Sequence, residues 1–382
     1  MIDNSTDMGR FHTYPYRLLP SERIHVWAGY QQVRTRLMKL IESARTDRIG
    51  LYQLAALHGE LGTGKSHAMR YLLNLILDQQ KDDYQSIATY LPRLAVAART
   101  DFLALYRALL RQMKSQLTTA AQNLVAALDS AADAKRSGLG EQVGEEAEIN
   151  RRIRSSIIAE MGGDDAAILS AYLGLASGDG SDSFSLLAGE TRSNDLRVDS
   201  DFEAVRTLAA LVRFSTSPVF GLPAPAKCVY IFVDEYEVIA DFSNANAISV
   251  SNGIRDLVNA APEALCILLG FTGDAARLEA LVDESVIARM TSDPIELQPL
   301  DDDEALAFIR EIHEAYRLDG TSLDADFPFT EASLRELIAR TSDRTPRQLL
   351  RNCRTVFEGA ITAGVFDGAT PLGEEDVREY LM

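Results

Sequence analysis

The sequence lacks the features of a membrane or secreted protein. None of the apolar runs in its 382 residues is long enough to cross a bilayer. The first residues, MIDNSTDMGRFHTYPYR, contain no apolar core of a secretory signal. We therefore expect a cytoplasmic protein with no membrane partner.

Cysteine and histidine are also scarce. The three cysteines, Cys228, Cys266 and Cys353, are far apart, and the five histidines do not cluster. Neither residue type shows the spacing of a metal site, so we expect reduced cysteines that act as small core residues. A metal ion bound by these side chains alone is not predicted.

Basic residues are outnumbered by acidic ones. Lysine and arginine total 38 and aspartate and glutamate total 56, which gives a net charge of -18. A field of that sign repels nucleic acid and argues against a free-standing DNA-binding protein. DNA is therefore a possible partner that the net charge does not favour, whereas a partner protein is expected.

What the sequence does contain is an alternation of strand-like and helix-like segments. Predicted strands lie at residues 51–58, 86–97, 229–233, 265–271 and 294–298. Predicted helices lie at residues 30–44, 66–77, 101–117, 201–214 and 246–260, and only helices follow residue 301. This order predicts an α/β protein with a parallel sheet covered by helices on both faces, followed by a C-terminal all-helical lid domain.

We divide the chain into an N-terminal strap and helix (1–50), a nucleotide-binding domain (51–299) and a helical lid domain (300–382). An insertion at about 118–200 interrupts the second unit. Its first part could form helices, whereas LGLASGDGSDSFSLLAGETRSND is rich in Gly, Ser and Asp and predicts a mobile loop. A partner protein is expected to dock on this insertion.

The stretch GELGTGKSH, residues 59–67, matches the phosphate-loop pattern G-x-x-x-x-G-K-[ST]. A random chain of this length would match that pattern about one time in a hundred. Its glycines let the backbone turn with positive φ and approach a phosphate, and the helix that follows adds its positive end. We predict ATP binding by the whole stretch: Gly59, Glu60, Leu61, Gly62, Thr63, Gly64, Lys65, Ser66 and His67.

Two of these residues have more specific predicted roles. Lys65 would reach the β- and γ-phosphates, and the Ser66 hydroxyl would bind Mg²⁺. The stretch follows a predicted strand and opens a predicted helix, as a phosphate loop requires. The predicted fold is therefore that of a P-loop NTPase.

An acidic pair ends the strongest predicted strand, in VYIFVDEYE. Ligands of open parallel sheets sit beyond the carboxyl ends of the strands, so Asp234 and Glu235 would face the phosphate loop. Asp234 can hold Mg²⁺ and Glu235 can polarise the water that attacks the γ-phosphate. By themselves two acids could merely end a strand, but beside a phosphate loop they favour an ATPase.

With these motifs the chain resembles the AAA+ ATPases. The resemblance implies that Thr272, at the end of LCILLGFTG, senses the γ-phosphate. It implies that Arg289 is an arginine finger offered to a neighbouring subunit, hence a homo-oligomer, and that Arg347 in RTPRQLLRNC is a second sensor in the lid. Thr272 could instead be only a strand-end hydroxyl and Arg289 a surface residue. The second sensor could also be one of three other lid arginines: Arg344, Arg351 and Arg354.

Two further patterns resemble the origin-recognition-like branch of that family. They are I-x-L-x-P-L-x-x-x-E-A after Arg289 and T-P-R-x-L-L in the lid, and ATPases of transposition systems and BREX-type phage-defence systems share similar features. In such proteins a segment passes over the adenine, so Ile24, Val26 or Trp27 could pack on the base. The same residues could equally form an apolar strap on the core.

We therefore expect an ATP-hydrolysing, assembly-dependent switch or motor that requires ATP and Mg²⁺. The resemblance implies a role in DNA maintenance, mobile-element control or phage defence. The alternatives are a non-hydrolysing regulatory or scaffold protein that works through its insertion, and a sequence-nonspecific DNA-binding ATPase.

Overall fold

The computed structural model of the protein describes residues 11, 14–20, 24–46, 53–78, 86–94, 100–139, 155–156, 158–160, 162–218, 224–261, 263–318 and 324–381. No helix among these residues has the length and apolar character needed to span a membrane. Predicted features at residues 51–52 and 95–97, and part of the insertion (140–154, 157 and 161), lie outside the described residues.

A parallel sheet forms the centre of the molecule. Its strand order among the described residues is β2-β3-β4-β1-β5. This arrangement confirms the predicted α/β fold, and the near-continuous apolar strands reflect a sheet covered on both faces. The strands are β1 (Gln53–Gly59), β2 (Ile87–Leu91), β3 (Val229–Val233), β4 (Leu265–Thr272) and β5 (Ile295–Leu297).

Helices surround the sheet and then form the lid. Several helices begin with a side-chain cap that satisfies a free backbone amide; for example, Ser200, Asp301 and Thr345 accept from the amides of Glu203, Glu304 and Gln348. The helices around the sheet are α1 (Gln31–Thr46), α2 (Lys65–Asp78), α3 (Phe102–Leu139), α4 (Ala166–Gly174), α5 (Ser181–Leu187), α6 (Asp201–Thr216), α7 (Asn244–Ala260), α8 (Ala275–Leu281) and α9 (Glu284–Ile287). Those of the lid are α10 (Asp302–Tyr316), α11 (Glu331–Ala339), α12 (Pro346–Thr362) and α13 (Glu374–Tyr380).

The insertion differs from the sequence expectation. Helix α3 does not end near residue 117 but continues to Leu139, so the first part of the insertion extends a helix of the sheet domain. The segment expected to be a mobile loop, residues 173–195, holds the end of α4 and the whole of α5, whose Phe184 and Leu187 are buried in the same core as α3 and α6. Arg107 of α3 also donates to the carbonyls of Ala188 and Gly189 just after α5.

Close packing explains the small residues that suggested a loop. A Cβ on Gly174 would overlap the Ser183 side chain, so glycine lets α4 and α5 touch. Gly180 has φ 65° where the chain turns into α5. A composition rich in Gly and Ser therefore serves a tight helical turn here, and the prediction of a loop is wrong for this segment.

The N-terminal segment belongs to the core of the lid. Tyr16 is fully buried among lid residues, and its hydroxyl lies 2.9 Å from His313 Nε2 in α10. Further along this segment, Trp27 packs against helices of the sheet domain, and its ring centroid lies 5.2 Å from that of Tyr71 in α2. Residues 14–20 and 24–30 thus contact the lid and the sheet domain.

Candidate functional site

The phosphate loop leaves β1 and turns directly into α2. A Cβ on Gly59 would collide with the main-chain carbonyl of Leu297, and Gly64 has φ 108° with open space around it. Glycine is required at the first position by a close approach and at the second by the backbone conformation. The loop amides and the first turn of α2 consequently form the kind of site that binds a phosphate.

Lys65 lies across this loop. Its Nζ donates to the carbonyl oxygens of Gly59 at 2.9 Å and Glu60 at 2.8 Å, and the residue is 7% exposed. Burial lowers the pKa of Lys65, while the charges of Glu237 and then Asp234 act in the opposite direction. The Lys65 ammonium group is therefore buried and is held by the loop carbonyls where a phosphate would bind.

Asp234 follows β3 and is held by two donors. Its Oδ2 accepts from the Tyr90 hydroxyl at 2.8 Å, and its Oδ1 accepts from the amide of Glu235 at 2.9 Å. Burial, followed by the nearby Asp234 charge, raises the pKa of Tyr90 well above its usual range, so the hydroxyl stays protonated and donates. The carboxylate, only 2% exposed, has a defined orientation.

Glu235 is placed differently from its neighbour. Its backbone has φ 48°, and its side chain is 49% exposed. One carboxylate oxygen lies 3.5 Å from Arg93 Nε in the segment after β2. Both acids of the predicted pair line the cleft, but only Asp234 is buried within it.

The sheet order places Thr272 between the two motifs. Strand β4 lies between β1 and β3, and Thr272 pairs with Gly59 at the end of the ladder. The side chain lines the same cleft as Lys65 and Asp234. Contact of Thr272 with a γ-phosphate stays a prediction.

One lid arginine reaches the cleft. The amide of Arg347, near the start of α12, donates to the carbonyl of Gly62 at 3.2 Å, and the residue lines the cleft. The other three candidates do not line it: Arg344 pairs with Asp302, Arg354 pairs with Glu358, and Arg351 is exposed further along α12.

Arg289 lies outside the cleft of its own chain. Its Nε donates to Asn259 Oδ1 at 2.8 Å and its Nη1 donates to the carbonyl of Ser285 at 2.6 Å. A finger acts on the nucleotide of a neighbouring subunit, so this placement leaves the role of Arg289 a prediction.

These elements line one cleft. Its polar lining includes the phosphate loop, the acids and Thr272. Its apolar lining includes Leu18, Pro20, Trp27, Ala28, Tyr30, Leu61, Phe308, Ile312 and Pro346. Of the three residues predicted to pack on a base, Trp27 lines the cleft, whereas Ile24 and Val26 do not.

The residues predicted to contact the nucleotide fall into two groups. Residues 61–67 line the cleft. Gly59 and Glu60 contribute their carbonyl oxygens to Lys65 instead. His67 also ties the N-terminal segment to α2, because its Nε2 lies 2.7 Å from the carbonyl oxygen of Val26.

Glu237 is a cleft residue that the sequence patterns did not single out. Its Oε2 is buried and accepts no hydrogen bond from the described residues. Of the charges acting on Lys65, that of Glu237 has the largest effect on the pKa. The signal in the sequence was the third acid of DEYE, which faces the cleft because a 3-10 helix begins at Tyr236.

The donor set suits Mg²⁺ that arrives with a nucleotide. No group of three His, Cys, Asp or Glu residues in the described part of the chain could hold a metal unaided. The Ser66 hydroxyl and the oriented Asp234 carboxylate both line the cleft beside the phosphate loop. Mg²⁺ is commonly bound by one or two carboxylates together with substrate phosphates and water, which fits these two oxygen donors.

Comparison with known proteins supports the fold. No family model and no curated protein matches the chain. The solved structure of the Aeropyrum pernix ORC2 protein in ADPNP–ADP complexes has a TM-score of 0.53 and 11% identity, covering 98% of this chain and 72% of that one. The Aeropyrum pernix ORC1 protein in complex with DNA has a TM-score of 0.49 and 12% identity, covering 97% and 69%. The protein shares the fold of the ORC2 structure, a P-loop NTPase sheet domain followed by a helical domain.

Proposed function

We propose that this chain binds ATP with Mg²⁺ in the cleft and hydrolyses it. One observation carries the proposal: a single cleft collects the phosphate loop, Asp234, Glu235, Thr272 and Arg347. These residues come from separate parts of the sequence, and each has the chemistry that a triphosphate and its hydrolysis require. The ADPNP–ADP complex of ORC2, which shares the fold, makes adenine nucleotides the first ligands to test.

The chain's own residues supply most of the chemistry. Loop amides and Lys65 bind the β- and γ-phosphates, and the buried Asp234 together with Ser66 orients the metal. When bound, Mg²⁺ neutralises charge that develops on the phosphate oxygens. Thr272 and Arg347 contact the γ-phosphate from the sheet and from the lid, and Glu235 accepts a hydrogen bond from the attacking water.

The lid makes the protein a switch. Helix α12 begins against the phosphate loop, residues 14–20 pack on the lid, and residues 24–30 pack on both the lid and α2. A triphosphate that contacts Arg347 would favour the closed lid, and loss of the γ-phosphate would remove that contact. In this proposal Arg289 completes the site of an adjacent copy, so hydrolysis depends on assembly.

The cellular setting is the broadest part of the proposal. We infer an assembly that acts in DNA maintenance, mobile-element control or phage defence together with a partner protein. The origin-recognition-like patterns around Arg289 and Arg347 support this setting. The packed insertion helices α4 and α5 offer a rigid surface for the partner.

A non-hydrolysing scaffold is the second candidate, and one observation favours it. Glu235 lies beside Arg93 and is half exposed, an arrangement that does not itself polarise a water in the cleft. The scaffold would bind ATP as a structural ligand and act through its insertion.

Phosphate release at steady state separates these two functions. The wild-type protein and the Glu235→Gln variant are compared at several protein concentrations with saturating Mg²⁺-ATP. Hydrolysis by the wild type and a loss of about a hundredfold or more in the variant support the ATPase. Nucleotide binding with no phosphate release at any concentration supports the scaffold.

A further inference from the structure

Tyr90 holds the carboxylate that is central to the proposed metal site. It lies on β2, next to β3, and its hydroxyl donates to Asp234 Oδ2 at 2.8 Å. Tyr90 is 8% exposed and Asp234 is 2% exposed, so little water competes for this contact. A hydrogen bond between a hydroxyl and a buried carboxylate is among the stronger contacts of side chains.

Strand β4 packs closely against the Asp234 carboxylate. Gly270 of β4 lies beside the carboxylate, and a Cβ there would be 3.0 Å from Asp234 Oδ1 and 2.5 Å from Met69 Cε. Because Gly270 has no side chain, the Asp234 carboxylate fits between β4 and Tyr90. The carboxylate cannot swing toward β4 without meeting the backbone.

The tyrosine ring is itself fixed. The Arg70 guanidinium of α2 lies over it, 4.7 Å from the ring centroid. In the register of the sheet Tyr90 pairs with Phe232, two residues before Asp234. Strand pairing and the stacked cation set the position of the hydroxyl before any ligand arrives.

We propose that Tyr90 is a positioning residue that orients the Asp234 carboxylate toward the water shell of Mg²⁺. The inference rests on the proposed nucleotide site and adds a residue to it that no phosphate-loop pattern contains. Residues that orient a metal ligand commonly contribute a factor of about 10 to 100 to metal affinity or activity. Without the hydroxyl, Asp234 Oδ2 would lose its donor, and the Glu235 amide alone would hold the carboxylate.

The test is an equilibrium measurement of the magnesium gain. This quantity is the factor by which saturating Mg²⁺ tightens binding of a fluorescent, slowly hydrolysed ATP analogue. Tyr90→Phe removes only the hydroxyl, and we expect it to reduce the gain about tenfold while binding without metal stays as in the wild type.

Tyr230→Phe is the matched control. It also removes a buried hydroxyl from the same layer of the core, where Tyr230 donates to the carbonyl of Ile41 at 3.0 Å. Its magnesium gain should equal that of the wild type, and melting temperatures show whether both variants remain folded.

The outcomes are distinct. A gain in Tyr90→Phe that is unchanged or larger overturns the positioning role, as does an equal loss in Tyr230→Phe. If the wild type binds no analogue, or binds it with no response to Mg²⁺, the proposed function itself fails.

Discussion

The amide of Arg347 in the lid donates a hydrogen bond of 3.2 Å to the carbonyl of Gly62 in the phosphate loop. The lid and the phosphate loop are therefore joined directly through main-chain atoms. Gly62 has φ 93°, and a Cβ on it would lie 3.1 Å from both the Arg347 Cβ and the Thr345 Oγ1. The absence of a side chain at position 62 is what permits the lid to close on the loop.

Substitution of Gly62 should consequently weaken nucleotide binding. We expect Gly62→Ala to raise the dissociation constant of Mg²⁺-ATP about tenfold, since it combines backbone strain with a contact that separates lid and loop. Gly368→Ala is the control, because Gly368 also has positive φ (79°) but open space around it. Calorimetric titration measures both, and equal affinities in the two variants would show that the contact is unimportant.

Glu237 should act on nucleotide binding through its charge. Its buried Oε2 accepts no hydrogen bond from the described residues, and Glu237 lines the same cleft as Lys65. We expect Glu237→Gln to bind ATP in the absence of Mg²⁺ about fivefold more tightly, since one carboxylate no longer repels the phosphates. Glu263→Gln makes the same chemical change at an exposed position just before β4, at the other end of the sheet, and should have no effect. Unchanged or weaker metal-free binding in Glu237→Gln would contradict this role.

Arg289 should be needed only between copies of the chain. We expect Arg289→Ala to reduce hydrolysis about a thousandfold while nucleotide binding persists. Adding the Lys65→Ala variant, whose own site is inactive but whose Arg289 is intact, should restore activity. Asn259→Ala removes the one side-chain partner named for Arg289 and keeps the arginine, so it controls for local packing. Failure of the mixture to recover activity would exclude a finger at this position.

Acid should destabilise the lid through His313. Burial lowers the pKa of this histidine to about 3, against an ordinary value of 6.5. Because the folded state favours the neutral ring, its contribution is complete above pH 6.5 and is lost as the pH falls from 6.5 toward 3. Each pH unit in this window costs about 1.4 kcal/mol, so pH 5.0 costs about 2 kcal/mol relative to neutral pH.

Denaturant unfolding at pH 7.5 and 5.0 checks this expectation. The wild type should lose about 2 kcal/mol more than His313→Gln over that interval. His25→Gln, which changes an exposed histidine, should lose as much as the wild type. An identical loss in wild type and His313→Gln would show that the buried ring does not set the acid sensitivity.

The positions of the strands along the chain and the phosphate-loop pattern could be read from the sequence. Buried parallel strands appear as apolar runs, and the phosphate loop has a spacing that backbone geometry imposes. Because parallel strands end at one edge of the sheet, the link between Lys65 and Asp234 also followed. The placement of β4 between β1 and β3, which brings Thr272 to the site, depends on the sheet topology, which no local sequence pattern specifies.

Other parts of the site depend on contacts that no local pattern encodes. Tyr90 resembles any strand tyrosine until β2 is placed beside β3, and Gly270 resembles any small core residue. Gly174 in the insertion indicated a loop by composition, yet it serves close packing of two helices. The burial of Tyr16 in the lid likewise joins residues almost 300 positions apart, as the separation of 297 from His313 shows.

Calorimetric titration of the wild type with a slowly hydrolysed ATP analogue and Mg²⁺ tests the central claim most directly. The account predicts saturable binding at one site per chain, lost in Lys65→Ala even though that variant remains folded. Absence of binding in the wild type, or equal binding in Lys65→Ala, would contradict a nucleotide site in this cleft.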